Sequence, residues 1–201
     1  MSLFKRLFNP KTKSPTGEKE GTTKYVPQKK LPLDEQFTYN FTNNGGKFLY
    51  CITPQEILEA FDNILLENDW YEQRVFCIDD DLSTRFDGFN LEFVNKTSSS
   101  FFLTKCESLV ANDGGILFSS NQMKEKKMRE LPSNMVVFAT TSQFVENISE
   151  GMRIIKNNCA GRIPTNITTI KDFDVDSAKE KDFMNYGSST KNLYLLLLED
   201  L

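Results

Sequence analysis

Two carboxylates, Glu107 and Asp113, lie close in sequence to three small polar residues, Asn112, Ser119 and Ser120, around a Gly114-Gly115 pair. The run Ser108-Leu109-Val110-Ala111-Asn112-Asp113-Gly114-Gly115-Ile116-Leu117-Phe118 reads as a strand, a tight reversal and a second strand. Asn-Asp-Gly-Gly readily supplies the positive φ values that such a reversal requires. Glycine has no side chain to shield its amide, so the turn has the makings of an anion cradle. In that reading Asn112, Gly114, Gly115, Ser119 and Ser120 bind a small carboxylate, and Glu107 or Asp113 acts as base or nucleophile. The plainer alternative is a hairpin turn without a ligand and two solvated carboxylates.

The chain contains no histidine. This excludes a Ser-His-Asp or Cys-His machine and a histidine metal triad. Cys51, Cys77, Cys106 and Cys159 stand far apart, with no Cys-x-x-Cys pair for zinc or an iron–sulfur cluster. Cys51 and Cys77 sit in apolar strand-like runs and read as small buried hydrophobes in a reduced protein. Asp79-Asp80-Asp81 invites a magnesium proposal, set against an N-cap with two solvated neighbours. No metal or cofactor is expected. Gly-x-Gly-x-x-Gly and Gly-Lys-Ser/Thr are both absent.

Length and charge bound the rest. The chain's 201 residues suit one well-buried domain. Residues 1–30 hold eight Lys/Arg against two Glu, a balance of +6; the remainder holds 16 against 26, or −10. An acidic body does not suit nucleic acid, whose binding rests on neutralising phosphates. No apolar run reaches the roughly 20 residues of a membrane span, and the start does not read as a signal peptide, so a cytoplasmic protein is expected. Leu3, Phe4, Leu7 and Phe8 have helical spacing, but Asn9 to Lys30 has too few large apolar residues to offset its ordering entropy. Residues 1–30 therefore read as a flexible basic leader and 31–201 as the domain.

Within that domain, helix is expected from Leu33 to Thr42, stopped by Gly45-Gly46. A strand follows from Lys47 to Ile52. Thr53-Pro54-Gln55-Glu56 combines an N-cap, proline at the first helical position and glutamate at N3, ahead of an apolar stripe through Ile57, Leu58, Phe61, Ile64 and Leu65. Further strands are expected at Arg74–Ile78, Leu91–Val94, Phe101–Thr104, Met135–Ala139, Asn166–Ile170 and Leu193–Leu198. Asn121 to Arg129 reads as a charged, mobile connection, more commonly a solvated loop than a lid over a site beside the hairpin. Ile148, Met152 and Ile155 mark a helix ending at Asn157-Asn158. The leucine run Leu195 to Leu198 suits a strand covered on both faces. The fold class is α/β: a mostly parallel sheet flanked by helices, with an inserted β-hairpin.

From Thr104 onward the chain resembles the LUD domain family of lactate-utilisation proteins (LutC/YkgG-like). The resemblance rests on four segments: Cys106 to Leu117, Arg129-Glu130-Leu131-Pro132 to Val137, Thr141-Ser142-Gln143-Phe144-Val145, and Tyr186-Gly187 through Asn192 to Asp200. It covers about the C-terminal half; residues 31–100 fit mainly by element order. It implies a fold related to ribose-phosphate isomerases and CoA transferases (NagB/RpiA/CoA-transferase-like). It also implies a clusterless accessory role in oxidising L-lactate, beside partner proteins that hold iron–sulfur centres. An isomerase- or CoA-transferase-like enzyme using carboxylates, with a small carboxylate or phosphorylated ligand, is the second reading. A non-catalytic interaction protein is the third. Three family positions differ: Asn112-Asp113-Gly114-Gly115 replaces a Glu-Thr-Gly-Thr loop, a Gly-Pro-Ser turn is missing near Ile167 to Asp176, and Tyr186 replaces a histidine.

Overall fold

The structure is a computed structural model and describes residues 31–159, 161, 163–173 and 190–200. The basic leader, the Met1–Phe8 stretch and the Tyr186-Gly187 segment lie outside the described residues.

The first helix, α1 (Leu33–Asn43), buries Phe37 and Phe41, which stack at 5.2 Å. Each fully buried ring contributes roughly 2–3 kcal/mol. The chain leaves α1 through Gly45 at φ 85°, and a Cβ on Gly46 would strike the Phe41 ring. This is the glycine stop expected from the sequence.

Strand β1 (Lys47–Cys51) leads into α2 (Pro54–Asn68). Thr53 caps α2 by accepting from the Glu56 amide at 3.2 Å. The Glu56 carboxylate reaches back one residue further than a capping box requires and accepts from the Ile52 amide at 2.8 Å. The expected stripe is buried at Ile57, Phe61, Ile64 and Leu65.

Next come β2 (Arg74–Phe76), α3 (Asp80–Arg85), β3 (Glu92–Val94) and β4 (Phe101–Lys105). The hairpin is β5 (Ser108–Val110) and β6 (Gly115–Phe118), followed by the short α4 (Ser120–Met123). Then follow β7 (Asn134–Thr140), β8 (Phe144–Val145), α5 (Ile148–Asn158), β9 (Thr168–Ile170) and β10 (Asn192–Leu198).

Six strands form one sheet in the order β1-β10-β7-β4-β2-β3, and every pairing in it is parallel. Strand β10 is buried on both faces. Leu193, Leu195 and Leu197 enter one core with Phe37, Phe41 and the hairpin, while Tyr194 and Leu196 enter another with α2. Alternation along a strand sends consecutive residues to opposite faces, so an unbroken apolar run is the signature of a strand covered twice.

The hairpin is more than an insertion. It is the centre of a second sheet, β8-β5-β6-β9, with β5 and β6 antiparallel. One face of this sheet joins the core that holds α1; the other meets α5 through Val110, Leu117, Val145 and Ile155. The layers are therefore α2 with α3, the parallel sheet, the mixed sheet with α1, and α5. Among the described residues no helix is long and apolar enough to cross a membrane.

Helix α5 forms where the spacing of Ile148, Met152 and Ile155 marks it; of the three only Ile155 is buried, because Gly151 brings the helix against Leu117 and Ser108 along a different face. One local expectation needs correction. Asn121 to Arg129 is not a loose charged connection. Met123 and Met128 are both buried in the core and pin it at two points.

Candidate functional site

Glu107 stands just beyond the C-terminal end of β4, the edge at which open parallel sheets bind ligands. Its Oε1 accepts three hydrogen bonds: from Ser119 Oγ at 2.6 Å, Asn121 Nδ2 at 2.8 Å and Gln122 Nε2 at 3.1 Å. Ser119 is fully buried and is the N-cap of α4. Its hydroxyl accepts from the Asn121 amide, while its own amide donates to Gln122 Oε1 at 2.9 Å. A carboxylate oxygen already holding three donors is a poor nucleophile and a good organiser of a turn.

Asp113 lies at the opposite end of the hairpin, roughly 10 Å away along the strand direction. The two carboxylates are not brought together. Asp113 closes the turn, its Oδ1 accepting from the Gly115 amide at 3.0 Å. The open cradle of amides expected from the sequence is not formed. The Asn112 amide donates to Glu146 O, the Gly114 amide to Val110 O and the Gly115 amide to Asp113.

Helix α1 seals the turn from behind. Asn40 donates to Ala111 O at 2.8 Å and Asn44 to Asp113 O at 2.7 Å. Gly114, at φ 69°, lies so close to α1 that an added Cβ would fall 2.4 Å from the Phe41 nitrogen. Glycine is required here for close approach rather than to expose an amide.

The concavity lies one step along the chain. Ser120, Asn121, Lys124 and Glu125 face Ile163, Pro164 and Thr165 across a cleft of about 440 Å³, within the usual size range for small-ligand sites. The walls are tied together, since the Ser120 amide donates to Thr165 O at 2.8 Å and the Thr165 amide to Ser120 Oγ at 3.0 Å. Lys124 holds φ 53°, a conformation that costs a non-glycine residue about 1 kcal/mol or more. The strain is offset by the turn that the buried Met123 and the Lys126 amide close around it.

Of the residues read from the sequence, Ser120 lines this cleft, Glu107 and Ser119 support it through Asn121, and Asn112, Asp113, Gly114 and Gly115 belong to the closed turn. Asn121, Gln122, Lys124 and Thr165 were missed as site residues. Ser119-x-x-Gln122 carries a capping-box signature that pointed to a helix start. Nothing local marks Thr165, which is brought in by tertiary contact.

The other polar groups at this edge of the sheet fasten it. Gln143 Nε2 donates to Cys106 O at 2.7 Å while its Oε1 accepts from the Thr140 amide, so it bridges the ends of β4 and β7. Asp200 accepts from Thr141 Oγ1 and from the Ser142 amide and hydroxyl, joining β10 to β7. Partial burial works against its ionisation, but the hydrogen bonds from Ser142 and Thr141 outweigh this and hold the carboxyl below its ordinary range.

Asp79 is the N-cap of α3, accepting from the Leu82 amide at 3.0 Å, and with Asp81 it pairs with Lys105. Among the described residues no cluster of three His, Cys, Asp or Glu could hold a metal. All four thiols are free, and burial pushes Cys51 and Cys77 up to about 11 and Cys106 higher still. Cys51, Cys77 and Cys106 are therefore unreactive as thiolates.

A doubly covered parallel sheet carrying a second, mixed sheet defines an α/β protein whose candidate site lies off the C-terminal end of a central strand. A family model described as LUD domain matches residues 94–193, which hold Glu107, the hairpin, Ser119 to Lys124 and the 163–165 wall. No curated protein matches the chain. The crystal structure of a DUF162 family protein from Deinococcus radiodurans, determined at 1.70 Å, superposes with a TM-score of 0.55. It is 12% identical over 83% of this chain and 96% of that one, a likeness of fold alone. The chain belongs to the LUD domain family.

Proposed function

We propose that this LUD domain protein is a LutC-like accessory component of L-lactate oxidation, free of iron–sulfur clusters itself, and that it holds a small carboxylate in the cleft between Ser120–Glu125 and Ile163–Thr165. The observation that carries the ligand reading is the lining of the cleft. It sets one cation, two hydroxyls and one amide against the apolar Ile163 and Pro164. Lys124 and Glu125 cancel in formal charge, so the lining suits a monocarboxylate better than a multiply charged phosphate. The enzyme reading with Glu107 as nucleophile has less support, because its Oε1 is committed to Ser119, Asn121 and Gln122. The partner reading, an iron–sulfur protein of a lactate-oxidising complex, rests on family membership.

A thermal-shift panel of L-lactate, glycolate, ribose 5-phosphate and CoA tests the ligand. The expected result is a midpoint that rises with L-lactate or glycolate concentration and not with the other two. A flat response to every compound removes the ligand reading. Co-purification from native lysate, followed by iron and acid-labile sulfide analysis, tests the partner; an iron-free eluate at stoichiometric recovery counts against it.

A further inference from the structure

The geometry points to a preference of the cleft for the reduced, hydroxyl-bearing form of a small carboxylic acid over its oxo form, which we propose is imposed by Glu107 through Asn121. The inference rests on the ligand reading above and deepens it. A side-chain amide has a donor end and an acceptor end, and its surroundings decide which end faces out. Glu107 Oε1 can only accept when ionised, so the Asn121 group bonded to it at 2.8 Å must be the NH2. Asn121 Oδ1 receives no hydrogen bond from any described residue, so it is the polar atom this side chain leaves for an occupant of the cleft that it lines.

The amide cannot turn over without cost. Rotation would set its oxygen against the Glu107 carboxylate, which already holds Ser119 and Gln122. Gln122 cannot take over the role, because its own oxygen is engaged by the Ser119 amide. The cleft thus presents a fixed acceptor at Asn121. It presents donors at Lys124 and at the Ser120 hydroxyl, whose oxygen accepts from the Thr165 amide and whose proton remains to be given.

A 2-hydroxy acid satisfies both ends at once. Its carboxylate takes Lys124 and Ser120, its hydroxyl donates to Asn121 Oδ1, and a short alkyl group rests on Ile163 or Pro164. An oxo acid of the same skeleton has no proton to give and sets its carbonyl oxygen against that of Asn121. Glu107 is in this account a positioning residue.

Calorimetric titration of the full chain with L-lactate, pyruvate and 2-methoxypropionate tests the proposal. Pyruvate removes the donor by oxidation, and the methyl ether removes it while keeping the tetrahedral carbon. L-Lactate is expected to bind at least about tenfold more tightly than either, the value of one hydrogen bond with an opposed acceptor. Glu107→Gln lets the Asn121 amide present either end, so the lactate-to-pyruvate ratio should fall towards one while pyruvate affinity holds or rises. Asn121→Ala, at an exposed position, should equalise the two ligands as well. A purely structural role for Glu107 would weaken both equally and leave the ratio intact.

Equal binding of L-lactate and pyruvate by the unsubstituted protein overturns the proposal, as does a ratio that survives both substitutions. Binding without discrimination refutes the selectivity alone. No heat from any carboxylate refutes the cleft as a ligand site, and the selectivity with it.

Discussion

Lys191 should make this protein more stable in mild alkali, and the effect can be isolated by one substitution. The side chain is 3% exposed, and its Nζ donates to Leu131 O at 2.8 Å and to Pro132 O at 3.0 Å. Its neighbours are carbonyls, and among the described residues no carboxylate stands within ion-pair distance. Burial lowers the ammonium from 10.5 to about 8. Below pH 8 folded and unfolded chains both carry the proton, and the folded one bears the cost of a desolvated charge. Between about 8 and 10.5 the unfolded chain holds a proton that the folded chain has released, so stability climbs with pH. The gap of 2.5 pH units, at 1.36 kcal/mol each, is worth about 3 kcal/mol at full extent. The neutral amine still has two N–H groups for its two carbonyls, so little is lost on deprotonation.

Lys191→Met removes the titration and leaves both carbonyls unpaired, two effects that largely offset one another at pH 7. Urea unfolding followed by the fluorescence of Trp70, the single tryptophan, at intervals from pH 7 to 10.5 supplies the comparison. The stability of wild type minus that of Lys191→Met should rise by about 2–3 kcal/mol across this range. The buried thiols act in the opposite sense above pH 9, since their raised values make the folded state hold protons the unfolded state loses. They are present in both proteins and cancel in the difference. A difference that is flat or falls with pH would refute the reasoning, because it would mean the amine titrates alike in both states.

Three other perturbations have defined outcomes. Gly114→Ala sets a Cβ 2.4 Å from backbone at a positive φ and should cost about 3 kcal/mol or more, while Gly88→Ala, with no atom within 4 Å, should stay within about 0.5 kcal/mol; urea midpoints for the pair decide it. Thr53→Ala should cost about 1 kcal/mol through the lost N-cap of α2, and Thr53→Ser should restore most of it in the same measurement. The folded-state carboxyl of Asp200 is held below its ordinary 3.8, so its contribution is present above that value and is lost as pH falls through the folded-state value; acid unfolding of Asp200→Asn should show a shallower loss of stability below pH 4 than wild type.

Helix α2 was legible because its signals are local: Thr53 at the cap, Pro54 at N1 and one apolar stripe all lie within four turns. Strand β10 was legible because an unbroken leucine run admits few arrangements other than a strand covered on both faces. The cap at Asp79 could be read for the same reason, since the helix it serves begins at the next residue. Helix α5 was legible from the spacing of Ile148, Met152 and Ile155, but that spacing is the same whichever side is buried. Gly151 decided the matter by permitting contact with Leu117.

The site divides along the same line. Asn-Asp-Gly-Gly specified a reversal of the chain, because backbone conformation at glycine is a property of the residue and its neighbours. Whether the amides of that reversal faced solvent depended on α1, a helix some seventy positions earlier whose Asn40 and Asn44 close over it. The cleft, likewise, needs Thr165 beside Ser120, and the orientation of Asn121 needs Glu107 from the end of another strand. Sequence by itself determined the elements, the layer class and the exclusion of imidazole chemistry, all of which rest on residue type and short spacing. Tertiary structure alone decided which polar groups meet, because hydrogen-bond partners far apart in the chain are selected by packing and leave no periodic trace along it.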